Sequence, residues 1–156
     1  MIRTICIVIG VILCAGCGQN VSVRSARHTG SDHTNPPNLI VILADTLRKD
    51  HVGCYGYERN TTPHIDAFSK DGIILQNVYS VSSWTMPSVM SLFTGKYPAR
   101  HGAVTTDTRL RHGVPTLAAL LKRKGYQTCG IISCPAVHSM FGFDTGFDTY
   151  DDSSYR

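Results

Sequence analysis

With 156 residues, 42% of them hydrophobic and 17% charged, the chain can bury one core, which excludes wholesale disorder. The formal charge of +4 comes from scattered Lys and Arg with no basic stripe, which argues against a nucleic-acid partner.

The first residues read as a leader. Arg3 precedes an apolar run from Ile5 to Leu13, too short to span a bilayer and of a length that suits the apolar region of a signal. The run ends in Leu13-Cys14-Ala15-Gly16-Cys17, and small residues before a cysteine resemble the bacterial lipobox. Residues 1–16 are thus expected to be a lipoprotein-type signal peptide, with Cys17 lipidated; a plain secretory signal or a short anchor is the alternative. Either way the protein is exported. The first reading anchors it by lipid to a membrane of the bacterial cell envelope, in the periplasm or at the outer membrane. Cys54, Cys129 and Cys134 remain, an odd number in a compartment that permits disulfides. Their spacing does not resemble a zinc site, so small buried residues are expected there. Residues 17–37, rich in Ser, Thr, Asn, Gly, His and Pro, read as a tether in which His28 and His33 are solvated.

Beyond the tether, strands and helices alternate. Leu39 to Leu43 is a continuous apolar run, as in a strand covered on both faces. Thr62-Pro63 gives a helix start, and Asp71-Gly72 its end. Ile73 to Tyr79 reads as a second strand. Pro87 opens a helix that stops at Gly95. Thr116 to Gly125 is the clearest helix, with leucines at i, i+3 and i+4, basic residues in its last turn, and then Gly. Thr128 to Ser133 comes next as a third strand. This rhythm predicts a mainly parallel sheet with helices on its faces. In such sheets, sites form outside the carboxyl ends of the strands. Asp45 lies at one such end, and the loop carrying Thr85 comes after another.

Several blocks together resemble the N-terminal part of the sulfatase family, within the alkaline-phosphatase-like superfamily. They are Asn38 to Arg48 with Asp50-His51-Val52-Gly53-Cys54-Tyr55-Gly56, then Thr62-Pro63-His64-Ile65-Asp66, Trp84 to Gly95, Lys96-Tyr97-Pro98-Ala99-Arg100-His101-Gly102, and Phe141 to Asp148. The resemblance implies an α/β class of fold, a three-layer α/β/α sandwich, represented here by its first portion over residues 38–156. It also implies hydrolysis of sulfuric or phosphoric esters of small molecules or glycans, beside a divalent cation that in sulfatases is usually calcium. The family's catalytic domain runs to several hundred residues and takes further metal ligands from its later half, so a fragment or a non-catalytic remnant is the alternative.

Asp45 matches the family's first metal-binding carboxylate, and Thr46 stands where a second Asp is common. Thr85 occupies the position of the Cys or Ser that sulfatases oxidise to formylglycine. Threonine cannot take that path, because its β-carbon carries a methyl group and oxidation would yield a ketone. The Arg usual four residues on is Val89. No formylglycine is therefore expected. Thr85 remains either a direct nucleophile, of a hydrolase or of a phosphoryl-type transferase or phosphodiesterase, or a helix cap. Arg48, Arg100 and His101 read as structural, and His138 does not reproduce the family's motif around it.

Overall fold

The structure, a computed structural model, describes residues 4–9 and 37–155. Cys17, His28, His33 and the tether up to residue 36 lie outside the described residues. Four parallel strands form one sheet in the order β2-β1-β3-β4. They are β1 (Thr4–Ile9), β2 (Leu39–Ile42), β3 (Gln127–Ile132) and β4 (Thr149–Asp151). β1 pairs with β2 from Ile5↔Leu39 to Val8↔Ile42 and with β3 from Thr4↔Gln127 to Ile9↔Ile132. β4 joins β3 between Cys129↔Thr149 and Ile131↔Asp151. Residues 4–9 fall inside the stretch that reads as a leader. A short run of Ile and Val meets the needs of either, because β-branched side chains also suit a strand held between two others.

Four helices carry the rest: α1 (Pro63–Ser69), α2 (Thr85–Thr94), α3 (Pro98–His101) and α4 (Leu117–Arg123). α2 supplies most of the core. Its Met86, Val89, Met90 and Phe93 are buried against Leu110, Ile132, Val137, Phe141 and Phe143. Phe93 meets Phe143 and Phe147 edge-on, with centroids 6.3 and 6.2 Å apart. Each such side chain removed from water contributes about 1.5–3 kcal/mol, which fixes α2, and with it Thr85, against the end of β3. Gly95 closes the helix in a left-handed conformation, φ 63°. α4 starts as its sequence dictates: the Thr116 hydroxyl accepts from the Ala119 amide at 3.1 Å and donates to the Thr145 carbonyl at 2.6 Å.

Two expectations are corrected. Ile73–Tyr79 forms no strand; it runs as irregular chain, with Ile73 88% and Leu75 62% exposed. Its β-branched composition fits a strand, yet a strand needs a neighbour for its amides, and here the carbonyls of Leu75 and Gln76 take side-chain donors, Tyr55 and Lys49. Nor is β2 covered on both faces. Ile40 and Ile42 are 64% and 72% exposed, because β2 lies at the edge of the described sheet. No helix among the described residues is long and apolar enough to cross a membrane.

Candidate active site

The loop leaving β2 turns sharply at its third and fourth residues. Asp45 is half-buried, and Thr46 adopts φ 59°, the only non-glycine residue with positive φ among those described. A β-branched side chain in that region is strained by about 1–3 kcal/mol. The strain turns the chain so that Asp45 points toward α2 while Thr46 stays exposed. Forty residues later Thr85 opens α2 as its first residue, with Trp84 as the cap and no side-chain cap bond. Thr85 is thus inside the helix, so the reading of its hydroxyl as a cap does not hold. Its Oγ1 instead donates to the Asp45 carboxylate, at 3.4 Å to Oδ1 and 3.3 Å to Oδ2.

A third residue joins them. Cys134, two positions past β3, directs its thiol at Asp45 Oδ2 from 3.5 Å, within reach for a sulfur donor. Partial burial pushes this thiol up from its ordinary pKa, and the Asp45 carboxylate adds to the shift. Cys134 was expected only as a small buried residue. The signal that finds it is positional: it comes after β3 as Asp45 comes after β2, and the parallel strands of one sheet bring their carboxyl ends to the same edge. Among the described residues, no disulfide joins Cys54, Cys129 and Cys134 to one another.

The other candidates lie apart from this cluster or serve the scaffold. Arg48 spends its guanidinium on Asp50, Nε to Oδ1 at 2.9 Å, at an exposed position. That bond, with the help of His51, holds the Asp50 carboxyl far below the usual range. Arg100 is exposed. His101 is fully buried, with Nε2 2.9 Å from Ser91 Oγ and Nδ1 accepting from the Ala103 amide, and burial lowers its pKa. It ties α3 to α2. His138 pairs through Nε2 with the buried Asp152 at 3.2 Å. Asp152 also accepts from the Ser139 amide and hydroxyl, so this pair shapes the turn after Cys134. Two surface hollows, one beside Lys122 and Asp148, the other beside Gly53 and Asp66, include neither Asp45 nor Thr85.

Comparison with known proteins settles the kinship of this arrangement. The family model for sulfatases matches residues 37–156. The chain belongs to the sulfatase family. Its fold is accordingly the alkaline-phosphatase-like one, of which the described residues form a part. An ulvan-active sulfatase from Formosa agariphila is 38% identical over 91 residues, covering 58% of this chain and 18% of the relative. An N-acetylgalactosamine-6-O-sulfatase from Bacteroides thetaiotaomicron is 34% identical over 124 residues, covering 76% of this chain and 23% of the relative. Human arylsulfatase A is 35% identical over 117 residues, covering 71% and 23%. The chain thus spans about a fifth of the length of these curated relatives. No solved structure matches it.

The family implies a cation, usually calcium, at Asp45. Such an ion takes about six to eight oxygen ligands. This sulfatase-family chain offers one carboxylate and the Thr85 hydroxyl, with Thr46 exposed beside them. Among the described residues no three His, Cys, Asp or Glu side chains converge on a point. Among the described residues, Asp45 and Thr85 thus supply only part of the oxygen set that a calcium ion takes.

Proposed function

We propose that the full protein is an exported hydrolase of sulfuric esters in which Thr85 attacks directly, held at the membrane by lipid on Cys17. One observation carries the reading: the Thr85 hydroxyl, at the first residue of α2, donates to the carboxylate of Asp45. A hydroxyl is a weak nucleophile until a base takes its proton, and a carboxylate within hydrogen-bond reach can do so. The amides of Thr85 and Met86 have no partner within the helix, so an anionic ester there meets N–H groups and the positive helix end. Pro87 at the next position has no amide hydrogen to leave unpaired.

In the reaction so drawn, Thr85 Oγ1 forms a bond to sulfur and the sulfur–oxygen bond to the alcohol breaks. The hydroxyl proton passes to Asp45 and then to the departing alcohol. Water cleaves the threonyl sulfate and restores the hydroxyl. Two of the relatives are named for ulvan and for N-acetylgalactosamine, which supports a sulfated glycan as the substrate class. A second reading has the same hydroxyl attack phosphorus in a diester. It is favoured by Thr85 itself, because a residue that cannot become an aldehyde must act through its own oxygen.

The test uses the full-length protein on an aryl sulfate and an aryl phosphodiester, wild type against Thr85→Ala and Asp45→Asn. Turnover of the aryl sulfate is expected, falling about a thousandfold or more in both variants. Phosphodiester turnover alone would favour the second reading. Wild-type rates in Thr85→Ala would remove Thr85 from both.

A further inference from the structure

The core contacts of α2 are apolar, and apolar contact has no direction, so it does not by itself fix how the helix is turned about its axis. Hydrogen bonds have direction, and a buried imidazole supplies them. We propose that His101 is a positioning residue for the first turn of α2: its neutral ring holds that turn with Thr85 facing Asp45, and a proton added to the ring releases it. For hydrolysis this rests on Thr85 being the attacking group; for the helix it does not.

His101 closes α3 and is fully buried. The Ala103 amide donates to its Nδ1 at 3.2 Å, so Nδ1 carries no hydrogen and the ring proton sits on Nε2. Nε2 lies 2.9 Å from the buried hydroxyl of Ser91, and the ring also bonds to the Pro87 carbonyl. Pro87 is two residues past Thr85, and Ser91 follows one turn later, so the ring grips α2 at its start. The backbone of His101 is fixed in its turn, its carbonyl accepting from the Arg111 amide at 2.9 Å. A helix with its side chains has a radius of about 5–6 Å, so a rotation of about 10° moves an outer atom by about 1 Å. Thr85 Oγ1 reaches Asp45 at 3.3 and 3.4 Å, with no slack for such a shift.

A second ring proton would sit on Nδ1, where the Ala103 amide already points its hydrogen; two donors would then face each other, and one must move away. Among the described residues no carboxylate pairs with the ring. α2 has no charged side chain, and Arg100, Asp107, Arg109 and His112 are exposed. Arg111 packs over Gly102, and its guanidinium, bonded to the Ala99 carbonyl at 2.7 Å, repels a second cation. Burial first, with Arg111 in support, outweighs the Pro87 carbonyl and holds the ring below its ordinary pKa. The neutral ring is therefore complete above about pH 6.5, and its grip is lost as the pH falls through the lower folded value.

The experiment uses the full-length protein labelled with fluorotryptophan, because Trp84 caps α2 next to Thr85. Its fluorine NMR signal, assigned with Trp84→Phe, should shift in the wild type below about pH 6.5. In His101→Gln, whose amide can donate like Nε2 but takes no proton, the signal should stay still. On an aryl sulfate, wild-type kcat should fall at least tenfold as the ring is protonated, with KM changing less than about threefold. His101→Gln should lose this acid limb, and His101→Ala should lose at least tenfold in kcat at every pH. In the wild type, needing no variant, nitrogen NMR shifts of the imidazole should place the proton on Nε2 at about pH 8. A proton on Nδ1, a position-84 signal that ignores pH in the wild type, or one that titrates equally in His101→Gln would each overturn the inference. The two readings fail separately. No turnover, with the position-84 signal titrating in the wild type and still in His101→Gln, would end the hydrolase and leave the grip on α2. Turnover that needs Thr85 and keeps the same acid limb in His101→Gln would leave the nucleophile and overturn the positioning role.

Discussion

Among the described glycines, Gly146 is the one whose added β-carbon would come closest to backbone. The loop it belongs to docks between the start of α4 and β3: its carbonyl accepts from Thr128 Oγ1 at 2.9 Å, and that of Thr145 accepts from Thr116. Gly146 has φ 92°, and a β-carbon there would lie 2.3 Å from the Ala119 amide nitrogen and 2.5 Å from its α-carbon. Left-handed backbone costs an L-residue about 1–2 kcal/mol. The contact is with helix backbone, which cannot rotate aside, and overpacking of this kind adds about 1–3 kcal/mol. Gly146→Ala is thus expected to destabilise by about 2–5 kcal/mol in urea unfolding, monitored through the single tryptophan, Trp84. Gly56→Ala is the control, because Gly56 has φ 101° and nothing within 4 Å of its would-be β-carbon. It carries the backbone cost alone. Equal losses in the two variants would refute the packing argument and place the loop away from α4.

Thr116→Ala removes both the cap of α4 and the donor to Thr145; a loss of about 1–2 kcal/mol is expected in the same assay, with Thr116→Ser recovering most of it. Asp148 is held down to about 2 by its bond from Lys122, then by the Thr128 amide and hydroxyl. Its folded value lies below the unfolded one, so its contribution is complete above about pH 4 and is lost as the pH falls toward 2. Asp148→Asn should flatten the stability–pH curve in that window and leave the pH dependence near neutrality unchanged; an unchanged acid limb would contradict the assignment. Peptide mass spectrometry of the full-length protein should find residue 85 as unmodified threonine, and an aldehyde or ketone mass there would contradict the direct-attack reading.

What the sequence revealed depended on how local each cause is. α4 was readable because its leucine spacing, capping Thr116 and terminal glycine all act within a few residues. The meeting of Asp45 with Thr85 was expected from two loops leaving strand ends, but only Asp45 follows a strand; Thr85 is carried there by the packing of α2 against the end of β3. Ile73–Tyr79 was misread because a strand is defined by its neighbour, and no composition reveals that the neighbour is missing. The exposure of β2 escaped for the same reason. Cys134 was overlooked since nothing in Ser133-Cys134-Pro135 records which carboxylate lies across the strand ends. Thr46 gave no warning of its left-handed backbone, a conformation imposed by the turn rather than preferred by threonine.

The uncovered apolar side chains around the loop between α1 and α2 affect any assay of this chain. Phe68 is 83% exposed, Ile73 88%, Val78 57% and Val81 43%. Inorganic sulfate, the natural competitor to try against the proposed hydrolase, is also a salting-out anion that strengthens contact between such surfaces. Apparent product inhibition can then be clumping in disguise. Sodium chloride at matched ionic strength, with light scattering recorded alongside turnover, separates competition at the proposed site from association through these exposed side chains.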